Sequence, residues 1–139
     1  MTLWSDRAVL DRCFELQKIG VAFPLVPGAR IGRGFADVGY EEFGLLPSAR
    51  VVSLLTGAVR EFAENEQRFF FVVPTVDEVR EEIDRRGWDI VRLESPERRD
   101  WFLEARSEGS VQTIAVHAPT LLETFLQALI EIQKTNGPT

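Results

Sequence analysis

Five glycines, Gly28, Gly32, Gly34, Gly39 and Gly44, stand among arginines and aromatic residues in a single short stretch, "GARIGRGFADVGYEEFG". Glycine lets a backbone approach a ligand closely, and guanidinium groups recognise phosphate or carboxylate through charged hydrogen bonds. Arg30 and Arg33 beside Gly28, Gly32 and Gly34 could therefore cradle an anion, with Phe35, Tyr40 or Phe43 offering a stacking surface and Asp37 close by. The spacing matches neither a P-loop, which needs Lys and Ser/Thr after its last glycine, nor a G-x-G-x-x-G dinucleotide turn. The competing reading is a β-hairpin or meander in which the glycines serve turns and the arginines pair with Asp37, Glu41 and Glu42.

Two further side chains have the chemistry to react. His117, the only histidine, follows an alternating apolar run and precedes Pro119, so it falls at a strand end of the kind that borders ligand crevices in α/β proteins. Its alternation with Val111, Thr113 and Ala115 equally suits a residue bordering a core. An acid–base role would need an acidic partner, with Asp37 the candidate, yet no Ser/His/Asp order and no metal-ligand spacing surrounds it. Cys13, the only cysteine, sits on the apolar face of an N-terminal helix and reads as a small core residue. The carboxylate pairs Glu41/Glu42 and Glu81/Glu82, with Asp84, read as solvated faces. No metal and no cofactor is expected.

Composition narrows the classes. The 139 residues carry 16 basic and 22 acidic side chains, a net charge of −6, with no block of five like charges. Such a balance disfavours nonspecific binding to nucleic acid or to anionic membrane. The N-terminus lacks the apolar h-region of a signal peptide, and no apolar run approaches the roughly 18 residues of a membrane span. With a lone cysteine excluding an internal disulfide, a reducing, cytoplasmic setting is expected. Length and 45% hydrophobic content suit a single compact domain over residues 1–139, with 21–47 as a Gly/Pro-rich loop segment inside it.

The elements that must hold these groups are announced by a repeated junction. "FFFVVPTVDE" and "IAVHAPTLLE" each join an apolar run to Pro-Thr, with glutamate three residues after the threonine. Thr75 with Glu78, and Thr120 with Glu123, fit the capping box that opens a helix, and the preceding proline ends a strand. Both junctions read as strand-to-helix elbows. The expected order after the first is a helix stopped by Gly87, strands over "DIVRLE", "WFLEAR" and "VQTIAVH" with turns at "ESPERRD" and "SEGS", then a last helix. "FFFVV", apolar on both sides, is expected to be a central strand, paired in parallel with the next through a right-handed crossover. Upstream, Ser5 is placed to cap a helix through about Ile19, and Val51 or Val52, Leu55, Val59 and Phe62 suggest a second helix over about 48–64 that packs beside the last. The fold class is α/β (α+β), a mixed, mostly antiparallel sheet of four or more strands in a layered sandwich with helices.

The last helix is apolar around most of its circumference, leaving Glu123, Gln127, Glu131 and Lys134 in one narrow stripe. One sheet face does not cover so wide an arc, so it packs either on another helix of the chain or on a second copy. The second reading makes Leu122, Phe125, Leu126, Leu129 and Ile130 the interface of a homodimer.

Residues 25–46, through Arg30, Gly32, Gly34, Phe35 and Asp37, also resemble the glycine-rich segment of 5-formyltetrahydrofolate cyclo-ligases, where a similar run contributes to a nucleotide and folate site. That family's N-terminal basic nucleotide-binding elements are not recognisable here, and the resemblance is not taken as membership. The order of elements from Phe69 to Ile132 is similar to that of α-β-α sandwich domains in phage proteins, a likeness that carries no site. The expected function is a non-enzymatic binding or regulatory protein that self-associates. The alternatives are an anionic or nucleotide-like ligand held by the Gly/Arg segment with His117, a protein partner there, or a small enzyme using His117.

Overall fold

In the computed structural model, residues 6–35, 39–95, 100–109 and 112–136 are described, and the chain divides into two compact units, 1–74 and 75–139. The fold class is α+β: a five-stranded and a three-stranded antiparallel sheet, each packed with helix.

The first unit opens with helix α1 (Arg7–Lys18), whose N-cap is Asp6; the expected cap, Ser5, lies outside the described residues. Val9, Leu10, Cys13 and Leu16 face inward at helical spacing, and Gly20 follows the helix with the left-handed φ of 90° that glycine tolerates. Strands β1 (Arg30–Phe35), β2 (Gly39–Leu46), β3 (Arg50–Ser53), β4 (Val59–Glu61) and β5 (Phe71–Val73) form a sheet in the order β4-β3-β2-β1-β5. The glycine-rich segment is thus the hairpin β1–β2, with Ile31 opposite Phe43 and Gly32 opposite Glu42. Asp37, between its strands, lies outside the described residues.

Three expectations are corrected here. The proposed helix over 48–64 is the hairpin β3–β4. Its apolar spacing imitates a helical period, but Leu55 is 72% exposed, whereas Val51 and Phe62 are buried. Ser48 and Ala49 take positive φ, making the β2–β3 turn that a helix start would forbid. The "FFFVV" strand is an edge, not a centre: Phe69 ends a 3₁₀ turn over Glu64–Phe69, and among the described residues β5 pairs only with β1. Its double-sided burial comes from side chains above and below it, not from a strand on each side. The strand after the first elbow belongs to the other sheet, so no parallel crossover forms.

Because paired residues share a face, the register separates two surfaces of the five-stranded sheet. One carries Ile31, Phe43, Leu45, Val51 and Val72, closed over by Phe62 and Phe70 in a buried cluster with Phe43–Phe70 and Phe62–Phe70 edge contacts. The other carries Gly32, Gly34 and Gly44 with Phe71 and Tyr40, and α1 lays Phe14 against the last two at ring-centroid distances of 6.1 and 6.0 Å.

The second unit begins at the first elbow. Thr75 Oγ1 accepts from the Glu78 N–H, and Glu78 Oε1 accepts from the Thr75 N–H, so the capping box is complete and opens α2 (Val76–Arg85). Glu82 forms ion pairs with both Arg85 and Arg86. Gly87, at φ 81°, then turns the chain and Trp88 is buried. Strands β6 (Trp88–Glu94), β7 (Trp101–Ser107) and β8 (Thr113–Ala118) form the expected meander. Residues 96–99 and 110–111, within or next to its two expected turns, lie outside the described residues. At the second elbow the Glu123 N–H donates to Thr120 Oγ1 and α3 (Leu121–Asn136) begins.

The wide apolar arc of α3 is covered by β7 and β8 on one side and α2 on the other. Arg86 bridges from Glu82 to Gln133, tying α2 to α3 through a buried carboxamide.

Candidate functional site

The glycine-rich hairpin brings its expected ligand residues into one place but not onto one surface. Arg30 and Arg33 are three residues apart on a strand whose side chains alternate, so they leave opposite faces of the sheet. On the glycine face, Arg30 Nε lies 3.2 Å from the Glu42 carboxylate, which is buried. On the other, Arg33 lies 3.5 Å from Glu41, directly opposite it in register, with its guanidinium over the Phe70 ring. The hairpin alternative, with arginines paired to Glu41 and Glu42, describes this arrangement.

The glycines have a packing reason. A Cβ on Gly32 would come within 2.7 Å of the Phe71 ring, and one on Gly34 within 3.5 Å of Tyr40. The absent side chains make a trough in which the rings lie. At Gly32 the backbone that could have approached a phosphate is buried against the Phe71 ring instead, whereas Gly34 stays exposed. Phe35 ends β1. Tyr40 donates its hydroxyl to Asp11 Oδ1 at 2.6 Å, beneath the Arg7 guanidinium. Burial, then the bond to Asp11, pushes the phenol up to about 12.

The two reactive candidates lie elsewhere. Cys13 is buried, and burial together with the Glu42 carboxylate pushes its thiol up to about 12, leaving it protonated near neutrality. His117 stands on the open side of β8 with Thr113 and Ala115, while Val116 and Ala118 face the core. The expectation that this set borders a core is therefore corrected by one residue of register. His117 Nδ1 is 3.7 Å from Asp100 Oδ2, and both side chains are mostly exposed. Among the described residues, no group of three His, Cys, Asp or Glu side chains is arranged to hold a metal.

Of the five α3 interface candidates, Phe125, Leu126, Leu129 and Ile130 are buried within the single chain, and Leu122 is half-buried.

What the sequence did not announce is a cavity of about 280 Å³ in the first unit. Its walls include Leu16 and Val21 at the end of α1, Phe23 and Leu25 just beyond, and Phe70 and Val72 at the start of β5. Gln17 fastens the two sides: its carboxamide N–H groups donate to the carbonyls of Phe70 at 2.8 Å and Arg68 at 3.3 Å. Cys13, a small buried residue, also lines the cavity. Gln67 and Arg68 line it as well. Outside, Val26 and Phe69 are exposed apolar residues on the same two segments. The only signal in the sequence was the uninterrupted apolar and proline content of "VAFPLVP", which the glycine count beside it overshadowed.

No family model, no curated protein and no solved structure matches the chain. No helix among the described residues is long and apolar enough to cross a membrane.

Proposed function

We propose that this protein is a non-enzymatic binding protein, and that its site is the apolar cavity between the end of α1, the segment after it and the approach to β5. One observation carries the reading: a concave space of about 280 Å³ with a mainly hydrocarbon lining and a few polar groups. That volume of about 280 Å³ lies just below the roughly 300–1,000 Å³ typical of ligand pockets, which suits a small ligand. The site suits a small molecule with a substantial apolar part, and it calls for no nucleophile or acid–base pair.

The Gly/Arg hairpin is a weaker site, because its two guanidiniums diverge and each already faces a carboxylate. Self-association through α3 would require residues already under cover to be exposed again.

The test is titration calorimetry with phenylbutanol, a small amphipathic probe, on the protein and on Ala22→Trp. Ala22 lines the cavity and is exposed, so a large ring fits at its mouth without entering the core. Saturable binding that the substitution abolishes, at an unchanged thermal midpoint, is the expected result. Equal binding by the variant, or no binding by either, overturns the assignment.

A further inference from the structure

We infer that the ligand of this cavity is an amphipathic monocarboxylate, held with its apolar part between Leu16, Val21, Phe23 and Phe70 and its carboxylate on Arg68. The inference rests on the assignment of the cavity as the binding site and adds the chemistry of the ligand's polar end.

Charge selects the polar end of the ligand. The chain carries 22 acidic against 16 basic residues, and several of its arginines stand beside carboxylates, among them Arg30 by Glu42, Arg33 by Glu41 and Arg60 by Glu66. The cavity is lined differently. Its lining holds one cation, Arg68, and no acidic side chain. Among the described residues no carboxylate pairs with Arg68, whose guanidinium instead lies 4.7 Å from the centroid of the Phe69 ring. Within its own 3₁₀ turn, Glu66 is held by Arg60 at 2.6 Å.

The backbone beneath this charge is held. The Arg68 carbonyl accepts from Gln17, so the backbone that carries the guanidinium is tied to α1 across the cavity. Stacking on Phe69 leaves the edge of the guanidinium, where its N–H groups lie, to meet a planar carboxylate with two parallel hydrogen bonds. A neutral alcohol would gain the apolar burial but not this pair. A cationic amine would meet Arg68 as a like charge.

The experiment compares phenylbutyrate with phenylbutanol, which share the apolar part, on the protein, on Arg68→Gln and on Arg68→Lys. Arg68 is exposed, so neither substitution opens the core. The expected result is that Arg68→Gln weakens phenylbutyrate about tenfold, the scale of one charge-assisted contact near a surface, and leaves phenylbutanol unchanged. Arg68→Lys restores part of the loss, and added salt weakens the carboxylate alone. If both probes bind the protein and neither responds to Arg68→Gln, the charge assignment is overturned while the cavity stands. If neither probe binds the unmodified protein, both are overturned.

Discussion

The five-stranded and the three-stranded sheets each have to cover apolar surface, and they do so with different materials. In the second unit a 16-residue helix, α3, supplies Phe125, Leu126, Leu129, Ile130 and Ile132 as a continuous cover, with α2 closing its outer side. In the first unit α1 is shorter and more polar, and cover comes piecewise from rings: Phe14, Tyr40 and Phe71 over glycines on one face, Phe62 and Phe70 over Phe43 on the other. A long apolar helix moulds itself to a sheet along its whole length. Separate rings joined by turns and a 3₁₀ segment leave space where they fail to meet. The cavity lies in the unit built the second way.

The comparison can be broken most forcefully in the second unit. Leu126 is fully buried, so Leu126→Ala is expected to cost about 2–5 kcal/mol in urea unfolding, the range for a large aliphatic side chain removed from a core. A variant of unchanged stability but halved molecular mass would instead make the face of α3 an interface between copies. The next largest effect is expected in the first unit. Gly32→Ala places a methyl group against a Phe71 ring hemmed in by Phe14 and Tyr40, and is expected to cost about 1–3 kcal/mol by overpacking. A neutral result would mean that the ring tilts freely and that the trough is not what the glycine provides.

The smallest effect is spectroscopic. Tyr40 is the only tyrosine, so ultraviolet titration reports it alone, and its midpoint is expected near 12 instead of the usual 10.0. The sign follows from the neutral phenol being the form favoured in the fold. Its contribution to stability is complete below pH 10 and is lost as pH rises towards 12, because the unfolded chain ionises first. An ordinary midpoint would remove the Tyr40–Asp11 bond from the account of how α1 is held.

The same contrast explains what could be read in advance. The second unit was legible because its signals are local: a proline, a threonine and a glutamate at fixed spacing define each elbow, Gly87 ends α2, and alternation marks β7 and β8. The first unit resisted because its decisive facts are long-range. Val51, Leu55, Val59 and Phe62 show a helical period by coincidence, and only the burial of Val51 against exposed Leu55 and Val59 distinguishes a hairpin. The run "FFFVV" has the composition of a central strand, yet α1, packing over β5, supplies part of the cover that a central strand would owe to its neighbours. Arg30 and Arg33 are close in sequence but not in space, because a strand sends residues three apart to opposite faces. The cavity needs α1, residues 21–25 and 67–72 to meet, and no motif encodes that meeting.

The central claim is that the space beside Gln17 and Phe70 takes a small amphipathic molecule. It is tested most directly by an amide-resolved nuclear magnetic resonance titration of the protein with phenylbutyrate. Saturating shifts concentrated at residues 13–25 and 67–72, with the second unit unmoved, are the predicted result. Shifts centred on the β1–β2 hairpin or on α3, or no saturable shift at all, would contradict it.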